Sequence, residues 1–275
     1  MTTTLPFEKW EGLGNDFVVL SSPVLNAEVV RELCDRHRGI GADGILFVEE
    51  TGDHAKMIVL NADGSRPEMC GNGLRCVAAF LAEKRGLEEA EFVVATDAGD
   101  KRCAVKRNDD GLYDVTVDMG YAKQGLEYVV AAGGKQIRFT TIDVGNPHAI
   151  SFAPFTQEDV DQIGPIAATG KQGGTNVEFC RVLEGQEQQN TKIEVVVWER
   201  GVGRTLACGT GACAVAAAAC EAGMAAFGEP MKIVLPGGPL EITVDERRAL
   251  RMKGPARRVF RGTLAPRSLE GTFPC

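Results

Sequence analysis

The 275 residues are 44 % hydrophobic and 25 % charged, an ordinary globular balance that suits one large or two medium domains. A formal net charge of −8 argues against nucleic acid or an anionic membrane as a bulk partner. Nine cysteines without a C-x-x-C pair, and three histidines far apart in sequence, argue against a structural zinc site and fit free thiols in a reducing, cytoplasmic setting.

Met1 to Pro6 has neither a basic stretch nor a long apolar run, so no signal peptide, transit peptide or membrane span is expected. Short alternating runs follow: Phe7–Leu13, Asp16–Leu20, Gly44–Glu49 and Ala55–Leu60 read as strands. Between the second and third, Asn26–His37 reads as a peripheral helix. Asn26 is its N-cap, and Val29, Val30 and Leu33 lie on one face. Cys70 then opens C-G-N-G-L-R-C-V-A-A-F-L-A-E-K-R-G, a helix with Lys84 and Arg85 in its last turn and Gly86 at C′. Strands Glu91–Thr96, Lys101–Arg107 and Tyr113–Met119 follow, the last two joined by the hairpin turn Asn108-Asp109-Asp110-Gly111.

The second half repeats this rhythm. Its strands are Leu126–Ala131, Gln136–Val144, Ala149–Phe152, Asn176–Val182 and Lys192–Trp198, with a second peripheral helix at Thr156–Ile163 opened by a Thr156/Asp159 capping box. The run from Cys208 to Glu221, C-G-T-G-A-C-A-V-A-A-A-A-C-E, is rich in Ala and uncharged until its last residue, so it reads as a buried helix. Strands Met231–Leu235, Leu240–Val244 and several more complete the chain. Short turns between most strands predict largely antiparallel sheets.

The two halves are copies. Gly71-Asn72-Gly73 and Val77-Ala78-Ala79 match Gly209-Thr210-Gly211 and Val215-Ala216-Ala217 without a gap, and Gly14-Asn15 recurs as Gly145-Asn146. The fold class is therefore α/β (α+β), two pseudo-symmetric domains, each a curved, mainly antiparallel sheet around a central helix. The expected domains are 1–120 and 121–261, with the boundary in the turn-rich stretch near Gly120–Gly125. The two helix starts are expected to face each other across a cleft, where ligands tend to bind.

Each cysteine thiol would lie at a helix N-terminus, where unpaired N–H groups and the dipole favour anions, so each is expected to ionise below the ~8.5 of free cysteine. Two such thiols suit the removal of a proton from one face of a carbon and its return to the other. The amides after each cysteine suit a carboxylate that gains charge from the carbanion. Racemisation or epimerisation of an α-amino acid without pyridoxal phosphate follows. A redox pair is the alternative for the cysteines, though redox motifs usually place both close in sequence. Asn15 and Asn146 alone would read as turn residues, Glu199-Arg200 as an exposed ion pair, and His148 as a core histidine.

N-A-D-G-S-R-P-E-M-C-G-N-G at Asn61–Gly73 and W-E-R-G-V-G-R-T-L-A-C-G-T-G-A at Trp198–Ala212 resemble the two signatures of the diaminopimelate epimerases. G-L-G-N-D-F, R-H-R-G-I-G-A-D-G, D-V-G-N-P-H and G-T-N-V-E-F occur in the family's order, and the likeness runs from Phe7 to about Arg261. It implies a cofactor-independent isomerase that interconverts LL- and meso-2,6-diaminoheptanedioate, in lysine and peptidoglycan precursor biosynthesis. It also implies a cytoplasmic homodimer with a small-molecule substrate and no metal, and a C-terminal segment, 262–275, that returns to join the first domain. By this resemblance Cys70 and Cys208 are acid and base, and His148 and Glu199 tune the thiols. Gly71, Asn72, Gly209 and Thr210 bind the reacting carboxylate, while Asn15, Asn61, Asn146 and Asn176 hydrogen-bond substrate. Glu199 and Arg200 meet its distal amine and carboxylate. Many members carry Gln where this chain has Gly44. The alternatives are a proline racemase-like enzyme, whose members usually have His at the position of Asn72, and a non-catalytic binding protein on the same fold. The other cysteines, Cys34, Cys76, Cys103, Cys180, Cys213, Cys220 and Cys275, read as structural or incidental.

Overall fold

The computed structural model describes residues 4–21, 25–51, 54–170, 173–186 and 189–264. Cys275 lies outside them. The chain forms two compact units: residues up to Val117 together with those from Gly254 onward, and Asp118–Lys253. In unit 1 the elements are β1 (Leu5–Gly12), β2 (Asn15–Leu20), α1 (Ala27–Cys34), β3 (Gly44–Thr51), β4 (His54–Asn61), α2 (Gly71–Lys84), β5 (Glu89–Thr96) and β6 (Gly99–Arg107). The strand β7 (Tyr113–Tyr121) passes from unit 1 into unit 2. Unit 2 continues with β8 (Lys123–Ala132), β9 (Lys135–Asp143), β10 (Pro147–Ser151), α3 (Gln157–Thr169), β11 (Asn176–Gln186), β12 (Gln189–Glu199), β13 (Gly203–Thr205), α4 (Gly209–Glu221), β14 (Pro230–Leu235) and β15 (Gly238–Val244). The last strand, β16 (Ala249–Leu264), begins in unit 2 and ends in unit 1.

Strands joined by tight turns pair antiparallel, as in β1–β2, β3–β4, β5–β6 and β6–β7 of unit 1 and β8–β9, β11–β12 and β14–β15 of unit 2. The sheets are nevertheless mixed. Pairs β2–β3, β4–β5, β10–β11 and β12–β14 are parallel, and each is bridged by one of the helices α1 to α4. A parallel pair needs such a crossover, so the helices mark where the direction rule changes. The hairpin at Asn108 forms as expected: Gly111 takes φ 77° and Asn108 N–H donates to Leu112 O at 2.8 Å.

Each central helix is buried on nearly all sides. In α4 the residues Ala212 to Cys220 are all buried, and the helix touches β9, β10, β11, β14 and β15. Ala side chains let strands approach from several directions. The helix α2 touches β1 to β6 and carries larger residues, among them Phe80, whose ring meets Trp10 edge-on at 6.4 Å. The peripheral helices cover the opposite sheet faces. Val29, Val30 and Leu33 of α1 pack with Val18, Ile45, Phe47 and Ile58, while Val160, Ile163 and Ala167 of α3 pack with Ala149, Val177 and Phe179. With both faces covered, Phe17–Leu20 and Gly44–Val48 are buried without alternation.

The departures from expectation that matter most are at α1, α3 and β16. The helix α1 stops at Cys34, because Asp35 turns extended and its carboxylate accepts from the amides of His37 and Arg38 at 2.8 Å. The helix α3 runs on through Pro165 to Thr169. The last strands merge into β16, which continues through Gly254-Pro255.

Candidate active site

In unit 1, Cys70 is the N-cap of α2. Its backbone is extended and its Sγ accepts from Gly73 N–H at 3.4 Å. The first-turn amides point past the helix's own carbonyl ladder, as at every helix start. From this turn a chain of hydrogen bonds runs outward. Asn72 Nδ2 donates to Asn15 Oδ1 at 3.0 Å, Asn15 Nδ2 donates to Asp43 Oδ2 at 2.7 Å, and Arg75 Nη1 donates to Asn72 Oδ1 at 3.0 Å. Arg75 is fully buried and anchors on Pro255 O at 3.2 Å. Asn15 is thus held at both ends of its amide, beyond any role as a turn residue. Asn61 ends β4 and engages Ser65, whose Oγ accepts from its Nδ2 at 2.9 Å. A Cβ on Gly44 would meet Leu60 O at 2.6 Å, so a side chain there would require β4 to shift.

Behind Asn15 sits a charge cluster. The Lys9 ammonium, 6 % exposed, lies 2.5 Å from Asp16, which also meets Arg36 at 2.7 Å. Burial pushes the Asp16 carboxyl up, but the bonds from Arg36 and Lys9 outweigh it and hold the pKa at about 2. This stability is present above the ordinary ~3.9 of Asp and is lost as pH falls through about 2. Asp16→Asn should therefore cost about 2 kcal/mol at neutral pH, since it removes the carboxylate that Lys9 and Arg36 pair with and leaves the buried ammonium only the Gly41 carbonyl. Urea melts at pH 7 and pH 3 check it: the gap from wild type should narrow at pH 3, and an equal gap would exclude charge as the cause.

In unit 2, Cys208 is the N-cap of α4 in the same conformation, with Gly211 N–H donating to its Sγ at 3.3 Å and Thr210 Oγ1 at 3.5 Å. Asn146 Nδ2 donates to Thr210 Oγ1 at 3.4 Å, and its Oδ1 lies 3.1 Å from His148 Nε2. The other ring nitrogen, Nδ1, is 2.6 Å from Glu178 Oε1. His148 and Glu178 are both fully buried. Glu199 ends β12 as Asn61 ends β4, and accepts from Thr205 Oγ1 at 2.5 Å. Arg200 is exposed; its Nη1 donates to Gly173 O at 2.5 Å, and its backbone N–H donates to Asn176 Oδ1 at 3.0 Å.

The acidity of Cys208 departs from the expectation of an easily ionised helix-start thiol. Burial pushes the thiol well above its ordinary value, and the Glu199 and Glu178 carboxylates push the same way. Its bonds from Thr210 and Gly211 oppose this and are outweighed. Desolvation wins because a buried thiolate loses more water than one helix turn replaces. These effects favour the thiol form of Cys208 over the thiolate.

Within unit 1 the structure joins Asn15 and Asn72 by a hydrogen bond and caps α2 with Cys70. Within unit 2 it links Asn146, His148, Thr210 and Cys208, and separately Asn176 with Arg200. Sequence reading missed Asp43, Arg75 and Glu178 as parts of these networks. Donor atoms of His148, Glu178 and Cys208 lie within 4.8 Å of one another. The 2.6 Å edge between Nδ1 and Oε1 is a hydrogen bond, too short for two ligands that would sit about 3.3 Å apart on one tetrahedral ion. The described cysteines other than Cys70 and Cys208 are buried and free of disulfides. No described helix is long and apolar enough to cross a membrane.

Against known proteins, the sequence profile of the family described as diaminopimelate epimerase matches residues 7–124 and 140–259. The chain is 39 % identical to the diaminopimelate epimerase of a Synechocystis strain, covering 94 % of this chain and 98 % of that protein. It is 40 % identical to diaminopimelate epimerase 1 of a Nostoc strain, over 94 % and 99 %. Among solved structures, a hydroxyproline epimerase from Agrobacterium vitis superposes with a TM-score of 0.73 at 15 % identity, over 96 % of this chain and 94 % of the other. A predicted epimerase from Pseudomonas aeruginosa does so with 0.72 at 19 %, over 94 % and 99 %. These two share the two-domain fold. Profile and relatives together, over nearly the whole length, place the chain in one family: it belongs to the diaminopimelate epimerases.

Proposed function

We propose that this protein epimerises 2,6-diaminoheptanedioate at one α-carbon, interconverting the LL and meso forms without a cofactor. The observation that carries the reading is the doubled arrangement: in each unit a cysteine caps a buried helix, beside an Asn tied to that helix's first turn. On this reading one thiolate removes the α-proton and the other cysteine, as thiol, delivers a proton to the opposite face. Cys208, held in its thiol form by burial, protonates the carbanion in one direction, and the two cysteines exchange roles in the other. The first-turn amides of Gly71, Asn72, Gly209 and Thr210 hold the reacting carboxylate as it gains charge. Arg200 and Glu199 bind the distal carboxylate and ammonium, with Asn15, Asn61, Asn146 and Asn176 as further hydrogen-bonding groups. As the family resemblance implies, the enzyme works as a cytoplasmic homodimer in lysine and peptidoglycan precursor synthesis.

Incubation in D2O tests this. The reduced protein, with no added cofactor, receives LL-diaminopimelate in one tube and L-proline in another. Early product should be meso-diaminopimelate with one deuterium at the inverted centre and none at the distal centre, because the thiol pair serves one α-carbon at a time. Inversion of proline instead would move the assignment to the racemases. Exchange with neither substrate, from folded protein with both thiols titratable, would leave a binding protein.

A further inference from the structure

The two units use different residues at matching positions behind their cysteines. Gly14-Asn15 and Gly145-Asn146 align Phe17 with His148. Parallel pairing sets Phe17 opposite Gly44 in unit 1 and His148 opposite Asn176 in unit 2, so Leu46, two residues on, corresponds to Glu178. The helix starts agree. A Cβ on Gly73 would meet the Leu46 side chain at 3.0 Å, and a Cβ on Gly211 would meet Glu178 Oε1 at 2.6 Å. An apolar pair in unit 1 is therefore replaced by a histidine and a carboxylate in unit 2.

Two lone pairs do not approach to 2.6 Å, so a proton lies between His148 Nδ1 and Glu178 Oε1. The opposite nitrogen faces the Asn146 carbonyl oxygen, an acceptor, and donates to it. The second Glu178 oxygen is buried and has no hydrogen-bond partner among the described residues. A buried carboxylate with a spare oxygen is costly where leucine fits in the other unit, which argues for use.

We propose that Glu178 is a positioning residue: it fixes the His148 ring beside Cys208, keeps a proton on its Nδ1 side, and so gives unit 2 an ionisable pair that unit 1 lacks. The groups bearing on the Cys208 sulfur are Glu178 from β11, Glu199 from the end of β12 and His148 from β10. Only the kinetic part rests on the epimerase reading above.

The test uses Glu178→Gln and Glu178→Leu, each also combined with His148→Phe. Glu178→Gln should lower kcat by about 10–100-fold, as loss of a partner that orients a histidine does, with KM within about twofold. Iodoacetamide labelling against pH, read peptide by peptide, should move to lower pH at Cys208 and stay in place at Cys70. With His148→Phe already present, Glu178→Leu should lower kcat much less than it does alone, because the positioning acts through the ring and only the direct charge on the sulfur is left to lose. Proton NMR should show a far-downfield ring N–H in the wild type that Glu178→Leu removes. If Glu178→Leu fails to fold, Glu178→Gln and the wild-type resonance decide. A folded Glu178→Gln with an unshifted Cys208 profile, or an equal kcat loss with and without His148, overturns the proposal. Labelling and NMR need no substrate, so they fail or succeed independently of the diaminopimelate assignment.

Discussion

Cys70→Ala and Cys208→Ala should each lower epimerisation by about 10⁴-fold or more, the upper end of what one positioned acid or base contributes. Inversion needs a group on each face of the carbon, so the loss of either thiol stops the same reaction. Neither substitution should unfold its helix. The cap bonds to sulfur are long, 3.4 Å to Cys70 and 3.3 Å to Cys208, and an N-cap lost to Ala costs only about 1 kcal/mol. Serine should be nearly as inactive, since it restores the cap but is far less acidic than a thiol. Circular dichroism beside steady-state assays in both directions checks this. Near wild-type turnover by either single Ala variant would end the two-thiol mechanism.

Arg200→Met should cut kcat/KM for diaminopimelate by about 10²–10³-fold and leave the fold intact. A bidentate guanidinium–carboxylate contact comprises two charge-assisted bonds, together about 3–4 kcal/mol, and each ~1.4 kcal/mol is tenfold. The Arg200 side chain is exposed, and the Nη1 bond it makes goes to a backbone carbonyl, so little packing is lost. The structural tie at this position is the backbone N–H to Asn176, which Met keeps. An unchanged kcat/KM in a folded variant would return Arg200 to the surface.

What could be read beforehand was local. A cysteine followed by Gly-x-Gly and a run of small residues gives both an N-cap and a buried helix, and its recurrence exposed the two-unit architecture. Asn108 to Gly111 carried its own turn chemistry. The rest depended on what packs against what. Glu178 stands in N-V-E-F, where alternation suggests a solvated face, and only the cover given by α3 and α4 makes both faces interior. Arg75 reads as a helix-surface cation until Pro255, far along the chain, supplies its acceptor. The Cys208 thiol shows the same limit. Its helix position argues for acidity, whereas its burial and two distant carboxylates decide the opposite.

The pairing of β1 with β16 carries a consequence for how the protein is made. Leu5 lies opposite Leu264 and Glu11 opposite Arg257, so β1 leaves the ribosome before the whole of unit 2 and must wait for a partner strand made after it. Until then the β16-facing edge of β1 offers its amides and carbonyls to any passing strand. Contacts so distant in sequence close slowly, because the loop entropy comes due before the pairing rewards it. Unit 2 interrupts unit 1 in the chain, so it can assemble while unit 1 is still incomplete. Nascent chains halted just short of Gly254 should therefore hold a foldable second unit and a sticky first one, the species a chaperone would meet.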